Sequence, residues 1–246
     1  PWGTSYAAEF LIQAMRAGRK VDPQFITELA KYLEGRINDR SDEAPDDNMR
    51  ATLCYVLAAF KHPQQAWMEK LTNNIDSLDV TARAHVAAAW LELGRKDRAT
   101  AVLTGDLLNQ TVATSTGTRL VSQVRQESVL LGVLLDLDRK HPWIPALVER
   151  LEKSRRNGCW GSTLENASAL AVLARFQSQS RNDAEFQGKV VAANTEPRPF
   201  DHKARLTFQC GDGSKPIEIT STGHGDIYIS ATTKGLLRKN GPVNYD

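Results

Sequence analysis

The chain has 246 residues and a mass of 27.2 kDa, with 41% hydrophobic and 24% charged residues. That length holds one large domain, or a domain of about 180 residues beside a small one, with a core that needs neither disulfide nor metal. Its 31 basic residues stand against 29 acidic ones, a net charge of +2, which disfavours nucleic acid as a partner.

Two compositions meet near residue 183, and domain boundaries of 1–182 and 183–246 are expected. Before that point apolar residues recur at helical spacing. A first helix runs from about Thr4 to Ala17, with Ala7, Phe10, Leu11, Ala14 and Met15 as its stripe and Gly18 as its stop. The second has Asp22 as cap, Pro23 at its first position, and a stripe of Phe25, Ile26, Leu29, Tyr32 and Leu33. An acidic loop, Asn38 to Asp47, leads to a third helix with Met49, Leu53, Val56, Leu57 and Phe60, broken at His62-Pro63. A short fourth holds Ala66, Trp67 and Leu71.

The fifth, from about Asp79, is alanine-rich through Trp90 and Gly94. The sixth carries Ala99, Val102, Leu103 and Leu107, and a polar loop covers Thr111 to Thr118. The seventh, Ser122 to Leu137, is apolar on most sides; the eighth has Ile144, Leu147, Val148 and Leu151. The ninth opens on Ser162-Thr163-Leu164-Glu165, a capping box, and its stripe is Leu170, Val172, Leu173 and Phe176.

Odd-numbered helices are alanine-rich or apolar and even-numbered ones carry a charged face, so odd helices belong inside and even ones outside. This describes a two-layer array of helical hairpins, repeating every roughly 30 to 45 residues. An open solenoid and a closed α/α toroid both satisfy it. In the tail Leu206, Phe208 and Cys210, then Ile217 and Ile219, then Ile227, Ile229 and Ala231 alternate with polar residues. Turns at Gly211-Asp212-Gly213 and Gly223-His224-Gly225-Asp226 make these strands of an antiparallel sheet.

The longest apolar run, Val129–Leu135, has seven residues, short of the roughly 18 a membrane span needs. No secretion signal opens the chain, and a start at Pro1-Trp2 points to a piece of something larger. Cys54, Cys159 and Cys210 form no CxxC pair and read as free or buried thiols, with one distant disulfide left open.

Residues suited to chemistry are scattered. His62 and His141 each precede a proline at a helix junction, and His85 sits in the alanine-rich helix as a buried histidine. His202 and His224 complete a set without metal spacing. Gly211-Asp212-Gly213-Ser214-Lys215 lacks the spacing of a phosphate loop and reads as a hairpin turn. Asp136 and Asp138 end a helix, and Asp46 and Asp47 are placed to cap the third helix, not to hold calcium. Asn157 to Thr163, around Trp160, joins an outer helix to an inner one by a tight turn that Trp160 plugs. No catalytic, cofactor-binding or metal-ligating residue is assigned.

Read in order, these segments resemble the alpha-2-macroglobulin family, which includes complement proteins. Pro1-Trp2-Gly3-Thr4-Ser5-Tyr6 is similar to the W-x-T-A-[FY] inner helix of the family's thioester domain. Asp46 to Thr52, followed by Tyr55-Val56-Leu57, is similar to its next inner helix. Ala84 to Gly94 with Arg95 to Ala99 resembles its A-x-x-L-x-G-x-x-x-x-A hairpin, and Gln126 to Leu131 its E-x-T-[AS]-x-x-L helix. Gly158-Cys159-Trp160-Gly161-Ser162-Thr163 with Asn166, Ala169 and Leu170 is close to G-G-[FW]-x-S-T-x-x-T-x-x-A-L, Asn166 standing where threonine is usual. Gly225 to Ala231 resembles a strand of the CUB-like half-sandwich that follows.

The resemblance implies a mainly α fold, an incomplete α/α toroid, followed by a small antiparallel β-sandwich-like portion. It implies a non-catalytic fragment of a macroglobulin-like endopeptidase inhibitor, working outside the cytoplasm, with no cofactor. Bait cleavage in such a trap releases strain and exposes a thioester whose Cys-x-Glu-Gln segment lies upstream of Pro1. Target proteases and the remaining macroglobulin domains are the partners implied. The loop Asn38 to Asp47 lacks the histidine of complement-like members, which implies direct reaction with amines. Two other readings stand beside it. One is a toroid enzyme, such as a terpenoid cyclase or glycosidase, which needs Glu9, Glu127 or Glu165 converging at the hub. The other is a helical-repeat binding scaffold with an open groove.

Overall fold

The computed structural model describes residues 2–112, 122–183, 185–192, 196–204, 206–207, 216–225, 227 and 229. Among them are nine α-helices: α1 (Trp2–Arg16), α2 (Pro23–Ile37), α3 (Asp47–Ala59), α4 (Gln65–Asn73), α5 (Val80–Glu92), α6 (Lys96–Val102), α7 (Gln123–Leu137), α8 (Ile144–Lys153) and α9 (Thr163–Asp183). Strands β1 (Glu185–Val191), β2 (Arg198–Asp201) and β3 (Glu218–His224) follow. The chain divides into two units, Pro1–Phe176 and Gln177–Asp246.

Caps mark the inner helices. Asp46, Asp79 and Ser122 each accept a bond from the amide three residues on, at the starts of α3, α5 and α7. At α9 the capping box closes both ways: Ser162 Oγ accepts from Glu165 N at 3.2 Å, and Glu165 Oε2 from Ser162 N at 2.8 Å. The ends of α1, α3 and α5 match as well. The amides of Arg19, His62 and Arg95 reach back five residues to Ala14, Leu57 and Trp90. The residue before each has positive φ: Gly18, Lys61 and Gly94. Lys61 holds this left-handed position without being glycine, just past the end of α3 at Ala59 and ahead of the His62-Pro63 break.

In the first unit, α3 packs on α1 and α5, and α5 on α7, in one row. α2 packs on α3, α4 on α3 and α5, α6 on α5 and α7, and α8 on α7, as a second layer. The inner row carries the core. Leu53 to Ala58 of α3 and Ala82 to Ala87 of α5 are buried, as are Leu130, Leu131, Val133 and Leu134 of α7. Gly132 interrupts the α7 run, and a Cβ there would lie 3.8 Å from Val172 of α9. Alanines along α5 let its neighbours approach closely.

Three stripes differ from the sequence reading. On α1 the buried side chains are Ser5, Ala8 and Ile12, while Ala7, Phe10 and Met15 are exposed, Phe10 at 68%. On α2 Ala30, Leu33 and Ile37 are buried, and Phe25 and Tyr32 are exposed. On α9 Ala169 and Val172 are buried, and Leu170 is exposed. Each of these helices has apolar residues on more than one face, and the described neighbours cover only one.

The turn before α9 is built on Trp160. Its indole N–H donates to Leu151 O at 2.9 Å and lies 3.0 Å from Ser154 Oγ, which ties the end of α8 to the start of α9. Asn166 accepts from Trp160 N at 3.1 Å and donates to Trp160 O at 2.8 Å. One side-chain amide makes both bonds, which accounts for asparagine where the resemblance has threonine.

In the second unit the sheet order is β2-β1-β3, all antiparallel. β1 and β2 have no counterpart in the sequence reading. Gly188 of β1 pairs with Phe200, whose ring lies over it; a Cβ there would meet Thr220 O at 2.2 Å. Gly223 and His224, expected in a turn, belong to β3 and pair with Phe186 and Glu185. Leu206, Thr207, Ile227 and Ile229 are not in strands; Phe208 to Lys215, Tyr228 and Ala231 lie outside the described residues.

Replacing Trp160 by alanine removes a buried ring and both indole bonds, and is expected to cost on the order of 3 kcal/mol. Trp160→Phe, which keeps a ring, is expected to cost less than half of that. Urea unfolding followed by helical circular dichroism measures both.

Candidate functional site

The inner helices turn polar side chains toward one another. Arg125 of α7 donates through Nη2 to both carboxylate oxygens of Glu9 on α1, at 3.1 and 2.9 Å. Arg16, at the end of α1, meets Glu92 of α5 at 2.6 Å, and Lys61 reaches the same carboxylate at 3.2 Å. Asp136 of α7 pairs with Arg175 of α9.

The α1-to-α7 pair dictates the arrangement of the row. Packed helices lie about 8–10 Å apart, so a straight row would separate the first and fourth members by about 24–30 Å. An arginine side chain cannot span that gap. The direct contact requires the row to curl about a hub, as in a toroid and unlike a straight stack.

His85 lies at this hub. It is buried, its Nδ1 is 3.0 Å from Thr52 Oγ1, and its ring stacks on Tyr55 with centroids 5.4 Å apart. Burial, with Arg125 nearby, pushes its pKa down to about 3. A base that weak takes no proton at neutral pH, so the Thr52–His85 pair is no activated nucleophile. Burial likewise pushes the Tyr55 hydroxyl up to about 12. Burial raises Glu9 against the opposing pull of Arg125. Burial also works to raise Glu92, but its bonds to Arg16 and Lys61 outweigh it and hold the carboxyl below its ordinary value.

The acids a hub enzyme would need are engaged separately. Glu9 is with Arg125; Glu127 accepts from Gln123 at 2.9 Å; Glu165 caps α9. The structure does not bring them together. The histidines are also dispersed: His62 is 3.0 Å from Glu34, His141 packs edge-on to Trp143, and His202 faces Phe186. Among the described residues no group of three His, Cys, Asp or Glu is arranged to hold a metal. Burial pushes the Cys54 thiol up to about 12, Cys159 is exposed, and Cys210 lies outside the described residues, as does the Gly211–Lys215 turn. Sequence reasoning passes over Arg125 and Arg16; a charged residue inside an otherwise apolar inner helix is the available signal.

No protein-family model and no curated relative matches the sequence. Solved structures do match in fold. Native alpha-2-macroglobulin from Escherichia coli, in a structure reaching its C-terminus, aligns with a TM-score of 0.62 at 14% identity, over 90% of this chain and 34% of that one. The same protein activated by porcine elastase gives 0.60 at 15% identity, over 90% and 19%. Salmonella alpha-2-macroglobulin reacted with methylamine gives 0.62 at 17% identity, over 91% and 14%. The fold is that of part of these bacterial proteins, and the chain spans about a third or less of their length. No helix among the described residues is long and apolar enough to cross a membrane.

The depressed His85 pKa makes stability depend on pH. The folded value, about 3, lies below the ordinary 6.5, so the unfolded chain takes up the proton first. Stability is therefore lost as pH falls from 6.5 toward 3, by about 1.4 kcal/mol per pH unit for this one proton. Glu9, raised, works in the opposite direction at the acid end. His85→Gln is expected to remove the His85 share of the slope, read from urea midpoints across that range.

Proposed function

We propose that this chain is a non-catalytic part of a macroglobulin-like protease trap: the later helices of a thioester-type domain and the β portion that follows, within a longer parent. The observation that supports this most is the curled inner row, with α1 touching α7, joined to a fold likeness over nine-tenths of the chain. Gly3, Ala7, Phe10 and Ala14 recur at helical spacing on the side of α1 away from the core. In the parent this stripe is the seam against the helices that complete the ring and carry the thioester.

The parent works outside the cytoplasm, in the bacterial periplasm or cell envelope. Its partners are target proteases and its own remaining macroglobulin domains. The hub side chains of this chain are buried and its acids are paired, which speaks against the toroid-enzyme reading; the curl speaks against an open scaffold. The loop between α2 and α3 is pinned by Arg36, which donates to Asp39 and to the Glu43 carbonyl, and by Arg50, which donates to the Asp39 carbonyl, and it offers no histidine to divert a thioester from amines.

The parent, incubated with trypsin or elastase, is expected to form a covalent complex that survives denaturation and is lost after methylamine treatment. Free protease with full activity on protein substrates, and no such complex, would contradict the reading. Phe10→Asp is expected to change the stability of the 246-residue chain by no more than about 0.5 kcal/mol, as at an exposed site. The same change is expected to destabilise the parent measurably, by thermal unfolding.

A further inference from the structure

α1 is held differently from α3, α5 and α7. Its buried apolar side chains are Ala8 and Ile12, with Leu11 partly buried, whereas α3 buries a continuous block from Leu53 to Ala58. Two ion pairs join α1 to helices beyond its neighbour α3: Glu9 with Arg125 on α7, and Arg16 with Glu92 on α5. The Glu9 and Arg125 side chains keep only 18% and 16% of their exposure.

Such pairs fix geometry more than they stabilise. Withdrawing two charges from water offsets most of their attraction, while removal of one partner leaves the other buried and unpaired. Burial raises the Glu9 carboxyl even with Arg125 beside it, in keeping with that balance. Local openings in proteins involve the elements with the fewest buried apolar contacts.

We propose that α1 is a detachable segment, latched to the hub by Glu9–Arg125 and Arg16–Glu92, and that it swings out while α3, α5 and α7 stay folded. Opening withdraws Arg16 from the face of Tyr55, whose buried ring lies 6.0 Å from the guanidinium while the latch is closed. The inference rests on the contacts of this chain and not on the protease-trap reading, and either stands if the other fails.

Hydrogen exchange with mass spectrometry on the 246-residue chain tests it. In the wild type, amides of residues 5–16 are expected to exchange faster than those of α3 and α5. Arg125→Gln is expected to speed α1 exchange about tenfold or more, with α3 and α5 unchanged. Replacing the pair together, E9M with R125M, supplies an apolar contact in place of the charges and is expected to return α1 to the wild-type rate or slower. Arg16→Gln, at a more exposed position, is expected to give a smaller increase confined to α1, and decides the matter if Arg125→Gln does not fold. Exchange that rises equally in α1, α3 and α5, or an α1 rate unchanged in both single variants, would overturn the proposal.

Discussion

The reach of one arginine side chain governs the first unit. Arg125 on the fourth inner helix grips Glu9 on the first, and that contact exists only if the row between them bends. The bend draws the inner helices to a narrow hub. Helices meeting there must be slim, and α5 is rich in alanine. The second layer then fills the outer gaps, with α4 touching both α3 and α5, and α6 both α5 and α7.

A narrow hub is shielded from solvent, and that shielding decides its chemistry. Among the described residues two carboxylates enter it, each with a cation: Glu9 with Arg125, Glu92 with Arg16 and Lys61. His85 enters neutral, against Thr52 and Tyr55. An acid–base enzyme needs the reverse, a wet or substrate-filled cleft with acids free to move protons. The hub is thus a polar seam between helices.

Much of this is legible in the sequence where the signal is local. Asp22-Pro23, Asp46, Asp79, Ser122 and the Ser162–Glu165 box announce helix starts through side chains that bond nearby amides. The Trp160 turn is legible for the same reason. The buried face of α1 is not, because Ala8, Leu11 and Ile12 compete with Ala7, Phe10 and Ala14, and only the neighbours decide. The ion pairs Glu9–Arg125 and Asp136–Arg175 join residues far apart in the chain, and nothing in either segment names the other. β1 and β2 escape because Gly188 and Pro199 interrupt their alternation; cross-strand pairing with Phe200 and β3 supplies what local preference lacks.

The central claim is that the first and fourth inner helices meet. Solution NMR of the 246-residue chain addresses it directly, through a nuclear Overhauser contact between the side-chain protons of Glu9 and Arg125. The account predicts that cross-peak, alongside contacts of α1 with α3. A spectrum in which α1 shows its contacts with α3 and none with α7 would mean a straight row, and would contradict the account.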